Sequence, residues 1–158
     1  MISKAYAGVG SRDTPDDIIK TMRGIGKALD KRGYMLRSGG AQGADKAFEK
    51  HSTNKEVFLA SDDLPAWTEV FTDFFHPNPR ALNDYPRRLM QRNAMQILGR
   101  DGDSPVEFVV CWTKNGKDSG GTGQAIRIAD YYGIPVFNLR NDGAFDMLKD
   151  YVRVIAKK

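Results

Sequence analysis

The stretch SGGAQGAD, Ser38 to Asp45, sets Gly39, Gly40 and Gly43 ahead of a carboxylate. Glycine keeps Cβ atoms off the backbone, so an anion can reach main-chain N–H groups directly. SGGTG, Ser119 to Gly123, repeats the pattern through Gly120 and Gly121, with hydroxyls at Ser119 and Thr122 that can donate to phosphate oxygens. GVGSR carries Gly8, Gly10, Ser11 and Arg12, and an arginine can fork onto a phosphate. The chemistry these residue types share is the holding of a phosphate or sugar phosphate. Neither standard fingerprint is complete. GVG lacks the third glycine of the dinucleotide motif, and Lys117 is not followed by Ser or Thr as a Walker A lysine would be.

Carboxylates add a second kind of chemistry. Asp45 follows its glycines directly, where it can bond a ribose hydroxyl, stabilise positive charge at a sugar carbon, or simply complement a helix start. Asp118 stands next to the third loop and is a second candidate. Arg88 and Arg92 lie four apart and share a helix face. Asn93, mid-helix among apolar neighbours, needs a hydrogen-bond partner. With only His51, His76 and Cys111, no zinc set is legible, and no metal or cofactor is expected. Cys111 sits inside an apolar run and reads as packing.

The elements that must position these residues alternate. Strands are expected at Lys4–Gly10, Tyr34–Arg37, Glu56–Ala60, Val106–Trp112 and Ile134–Leu139. Between them, Thr14 as N-cap and Pro15 as N1 open a helix whose apolar face is Ile18, Met22, Ile25 and Leu29, with Gly33 as its stop. Further helices are expected over about Ala44–His51, Arg87–Leu98, Gln124–Tyr132 and Gly143–Ile155. The segment 61–86 holds four prolines and the aromatics Trp67, Phe71, Phe74 and Phe75. It is too long for a plain connector. Its rings read either as a lid that stacks on a base or as core beneath a loop.

The expected fold is therefore α/β: a Rossmann-like, doubly wound, mostly parallel sheet of about five or more strands flanked by helices, with residues 1–158 as a single domain. In such folds ligands bind beyond the carboxyl ends of the strands, where all three glycine loops fall. The chain's 158 residues carry 24 basic and 20 acidic side chains, net +4, a mild bias that allows a phosphate-bearing partner. No apolar run is long enough to span a bilayer, the N-terminus lacks a signal-peptide layout, and a single cysteine excludes an internal disulfide. The expectation is a cytoplasmic protein without a membrane partner.

GVGSRDTP, SGGAQGAD, the RN pair and SGGTGQAIRIADYYGIPVFNL together resemble the SLOG superfamily. That group takes in the Rossmann-like domain of DNA-processing protein A, the Lonely Guy (LOG) phosphoribohydrolases and small stand-alone proteins of the YspA/YpsA type. The resemblance runs from Lys4 to Leu139 and implies a nucleotide-derived ligand or nucleic acid at the strand ends, and self-association. It carries ligand-binding roles onto Gly8, Gly10, Ser11 and Arg12, onto Ser38, Gly39, Gly40, Gly43 and Asp45, onto Arg92 and Asn93, and onto Gly120, Gly121, Thr122 and Gly123. Against the phosphoribohydrolase pattern PGGxGTxxE, this chain has Ser119 for the proline, Gln124 for the threonine and Arg127 for the glutamate.

Three functions follow in order. The first is binding of a nucleotide, nucleoside phosphate or ADP-ribose-like molecule through the glycine loops, without need of turnover. The second is an N-glycosidic enzyme, a phosphoribohydrolase or deoxyribosyltransferase-like activity on nucleoside monophosphates, with Asp45 and then Asp118 as the catalytic carboxylate. The third is single-stranded DNA binding through Arg80, Arg87, Arg88 and Arg92 with Phe74 and Phe75. A homo-oligomer is expected, built on apolar residues of the 60–86 segment or the last helix.

Overall fold

The computed structural model describes residues 4–156. Five short strands form one sheet in the order β3-β2-β1-β4-β5, every pair parallel. They are β1 (Ala5–Gly8), β2 (Met35–Ser38), β3 (Lys55–Val57), β4 (Phe108–Cys111) and β5 (Val136–Asn138). The helices are α1 (Asp16–Lys31), α2 (Ala44–Glu49), α3 (Ala66–Phe75), α4 (Asp84–Leu98), α5 (Gly123–Tyr131) and α6 (Ala144–Ala156), with a 3-10 turn at Pro79–Ala81. This is the doubly wound Rossmann-like arrangement. β1, β3, β4 and β5 are each shorter than the run expected for them, and residues just beyond them still pair through single backbone bonds, as Val9 N–H does with the Val110 carbonyl and Leu139 N–H with the Cys111 carbonyl.

Alternation along the strands divides the core in two. Tyr6, Leu36, Phe108, Val110 and Phe137 point to one face, where Met22, Ile25 and Leu29 of α1, Phe48 of α2 and Leu148 and Val152 of α6 cover them. Ala5, Ala7, Val109 and Cys111 point to the other, under Ala94, Ile97 and Leu98 of α4 and Ala125, Ile128 and Ala129 of α5. Small residues on the second face let α4 and α5 settle close to the strands. On the first, Tyr6 and Phe108 stack at 5.6 Å, and each such ring contributes about 2–3 kcal/mol by leaving water.

One expectation is corrected. Thr14 does not cap α1: Pro15 holds the N-cap position, and the Thr14 hydroxyl donates instead to the Ser11 carbonyl at 2.6 Å, closing the β1–α1 loop. The segment 61–86, too long for a plain connector, carries structure of its own: α3, the 3-10 turn and the first turn of α4 lie within it. Pro65 and Pro86 fit that reading, since each stands at a helix start where no backbone N–H is needed. Trp67, Phe71 and Phe75 pack against the α4–α5 core and so take the core role, while Phe74 stays exposed. Trp67 Nε1 donates to the Arg100 carbonyl at 2.9 Å, tying α3 to the turn after α4.

Candidate functional site

Strand order reverses between β1 and β4, whose onward connections leave on opposite faces of the sheet. The reversal opens a crevice at their carboxyl ends. A cleft of about 980 Å³ occupies it. Its walls are the β1–α1 loop at Gly10–Asp13, the β2–α2 loop at Gly39–Gln42, the β3–α3 loop at Leu59–Ser61 and the β4–α5 loop at Ser119–Thr122. One face of α4 forms its back, through Tyr85, Leu89, Arg92, Asn93 and Gln96. These recur at helical spacing, so a single helix carries groups from the mouth to the floor.

Asp45 lies at the floor, 4% exposed. Burial pushes its carboxyl up to about 6. Arg92 and the N–H groups of Ala41, at 3.2 Å, and Gly39 pull the other way, and nearby Glu49 adds to the rise. Arg92 is 8% exposed and its Nη1 donates to the Gly39 carbonyl at 2.6 Å. Burial lowers its pKa from the usual arginine range. Asn93 Nδ2 donates to the Gly121 carbonyl at 2.7 Å, which fixes the β4–α5 loop against α4.

That loop shapes itself internally. Asn115 Oδ1 accepts from Lys117 N–H and from the Ser119 hydroxyl, and the Thr113 hydroxyl donates to the Lys117 carbonyl at 2.7 Å. The N–H groups of Gly120, Gly121 and Thr122 take no acceptor among the described residues, and they lead directly into α5. At Gly120, φ is +64° and a Cβ would meet open space, so glycine is required there for the turn and the loop surface stays bare.

The glycines of the other two loops have a different reason. A Cβ on Gly8 would run into Phe48, one on Gly10 into the Ala44 methyl, and one on Gly39 into the Arg92 guanidinium. These glycines serve the close approach of α2 and α4 to the sheet. Gly43 lies close to the Ser11 and Arg12 backbone, joining the first two loops.

Of the residues singled out by sequence, Gly10, Ser11, Arg12, Gly39, Gly40, Asp45, Arg92, Asn93, Ser119, Gly120, Gly121 and Thr122 come together in the cleft. Gly8, Ser38, Gly43, Asp118 and Gly123 do not line it. The Ser38 hydroxyl is spent on Glu49 at 2.7 Å, and the Asp118 carboxylate pairs with Arg127 at 3.5 Å. Arg88 is committed to the carbonyls of Ala60 and Asp62, both at 2.6 Å, and Arg87 to Asp73. Of the four arginines named for DNA binding, Arg87 and Arg88 are thus held by internal partners and Arg92 is buried. Cys111 is buried with its thiol pushed up to about 12, as a packing residue should be.

Sequence reasoning missed Tyr85, Leu89, Gln96, Leu59 and Lys114 as cleft residues. The helical spacing of Tyr85, Leu89, Arg92 and Gln96 is the signal that places them on one face. A second, more open cleft of about 660 Å³ adjoins the first and shares Arg12 and Gln42 with it. It gathers Arg23, Lys46, Lys50 and Lys55 between α1 and α2.

No family model matches the chain, and no curated protein matches it. A solved structure of DNA processing protein A from Helicobacter pylori, described by its single-stranded DNA binding mode, superposes with a TM-score of 0.60 at 17% identity. The match covers 94% of this chain and 73% of that one. The likeness establishes a shared Rossmann-like fold. No helix among the described residues is long and apolar enough to cross a membrane.

Proposed function

We propose that this chain is a small protein of the SLOG type that binds a nucleotide or nucleotide-derived ligand in the cleft between β1 and β4. The observation that carries the reading is the row of Gly120–Thr122 N–H groups without acceptors among the described residues at the start of α5, in a loop that lines the cleft. A phosphate-bearing ligand supplies acceptors to these N–H groups, and the helix terminus attracts its charge.

Titration calorimetry with a nucleoside monophosphate tests this. Gly121→Asp places a carboxylate against the phosphate position in a space where the nearest neighbour, Met90, lies 3.9 Å from the new Cβ, so the variant folds and loses binding. Binding by Gly121→Asp equal to that of the native chain would overturn the reading.

A second reading is binding of single-stranded DNA, as the Helicobacter protein does. The specific observation in its favour is the group Arg12, Arg23, Lys46, Lys50 and Lys55 between α1 and α2, continuous with the cleft through Arg12. These cations outnumber the Asp16 and Glu49 carboxylates among them, and Glu49 pairs with Lys46 and Lys55, each at 3.9 Å. A strand with one nucleotide in the cleft can lay its following phosphates along Lys46, Lys50 and Lys55.

Asp45 extends the first reading to catalysis. A carboxylate close to a bound sugar stabilises an oxocarbenium-like state, which is what N-glycosidic cleavage requires. Release of free base from a nucleoside monophosphate, abolished in Asp45→Asn, would establish it. Self-association remains a proposal of the same rank, tested by sedimentation.

A further inference from the structure

A groove of about 360 Å³ runs between α1 and α6 and shares no lining residue with the cleft at the strand ends. That volume falls within the roughly 300–1,000 Å³ typical of small-molecule sites. Its floor is the core itself: Ile25, Leu29, Leu148 and Val152 line it, none more than 5% exposed. On the α1 side Gly24 and Ala28 stand one helical turn apart, and a Cβ on Gly24 would meet nothing within 4 Å. On the α6 side Phe145 lines the groove, 42% exposed. Small residues on one helix thus leave an apolar trough that no described residue fills.

The charges along this trough are of one sign. Arg32, Lys149 and Arg153 line it, and no carboxylate does. Lys149 is spent on Asp146 at 3.1 Å and lies over the Phe145 ring, 4.8 Å from its centroid. Arg153 pairs only with Asp150, at 3.5 Å in an exposed pair of small worth, and Arg32 has no ion pair among the described residues.

Topology gives the trough a direction. α1 follows β1 and α6 follows β5 in a parallel sheet, and both pack back on the same face, so the two helices run the same way. Arg32 caps the C-terminal end of α1 and Arg153 lies in the last turn of α6, which puts both guanidinium groups toward one end. From Phe145 to Arg153 is eight positions, an axial length of about 12 Å. The shape is a short apolar channel with cations at one end.

We infer that this groove is a binding site for a medium-chain carboxylate, with the alkyl chain over Ile25, Leu29, Leu148 and Val152 and the head group on Arg32 and Arg153. The floor rewards removal of an alkyl chain from water, and a guanidinium fork matches a carboxylate. A nucleotide has too little apolar surface to use that floor, so the site is independent of the nucleotide reading.

The test is calorimetry with octanoate, 1-octanol and acetate on the native chain, on Gly24→Leu and on the double variant Arg32→Gln with Arg153→Gln. On the native chain octanoate is expected to bind tightest, 1-octanol about fivefold more weakly for want of the ion pair, and acetate not measurably. Gly24→Leu fills the trough and abolishes binding of octanoate and 1-octanol. The double variant lowers octanoate to the level of 1-octanol and leaves 1-octanol unchanged. Residue 24 is exposed and leucine favours a helix over glycine, and an unchanged far-ultraviolet circular dichroism spectrum excludes misfolding as the cause of loss. Failure of octanoate to bind the native chain overturns the proposal. Octanoate affinity that survives Gly24→Leu overturns it by placing the ligand elsewhere, and affinity untouched by the double variant overturns the head-group assignment. Sedimentation of the native chain as a dimer that Gly24→Leu dissociates overturns it by making a second copy the occupant.

Discussion

Arg92 and Gly39 occupy complementary space: the guanidinium lies where a side chain on residue 39 would begin, and its Nη1 donates to the Gly39 carbonyl at 2.6 Å. A glycine in β2's loop and an arginine on α4 are thus one unit, which sets the floor of the cleft and holds positive charge beside Asp45.

Gly39→Ala breaks that unit. The methyl group forces Arg92 out of a site 8% exposed, and overpacking of this kind costs about 1–3 kcal/mol. Urea denaturation is expected to show that loss with an unchanged slope. Gly24→Ala, on the surface of α1 where a Cβ meets nothing within 4 Å, is expected to stabilise by about 0.5–1 kcal/mol.

Asp45 makes stability pH-dependent in a defined direction. Its folded-state pKa of about 6 lies above the ordinary value of 3.8, so the folded chain binds the extra proton between those values. Stability from this group is therefore present at the acid end and is lost as pH rises from about 4 to about 6, by on the order of 3 kcal/mol. Asp45→Asn mimics the protonated form. The difference in unfolding free energy between the variant and the native chain is expected to shift in the variant's favour across that window and to stay flat above it.

The two candidate carboxylates separate cleanly. Asp118 is tied to Arg127 outside the cleft, so Asp118→Asn is expected to leave nucleotide affinity unchanged, whereas Asp45→Asn changes its pH dependence. An effect of Asp118→Asn equal to that of Asp45→Asn would mean that the β4–α5 loop rearranges around the ligand.

Salt dependence decides between a nucleotide and a strand. If oligo-dT lies along Arg12, Arg23, Lys46, Lys50 and Lys55, the logarithm of affinity should fall against log salt with a slope of about −3, as about four phosphates release counterions. Lys46→Glu with Lys50→Glu should flatten that slope and leave mononucleotide affinity in the neighbouring cleft nearly unchanged. A native slope near −1 would exclude the strand.

The glycine loops, the parallel αβ alternation and the placing of the cleft beyond the strand ends were legible in the sequence, because each follows from local rules. Continuous apolar runs of strand length mark covered strands, and positive-φ or closely approached positions demand glycine. Helix α3 was not legible. Its aromatics sit among prolines, and only the finding that Trp67, Phe71 and Phe75 share one face against α4 and α5 makes the periodicity meaningful.

Sequence alone thus determined the fold class and half of the residues around the cleft. Tertiary structure decided what each does. It assigned Gly8, Gly10 and Gly39 to helix packing and left Gly120 and Gly121 open to a ligand. It spent Ser38, Arg88 and Asp118 on internal partners and brought Tyr85 and Leu59, distant in sequence, to the walls of one cleft. The reason is physical: a residue's type fixes which bonds it can make, but the neighbours that compete for those bonds arrive from distant segments only when the sheet closes.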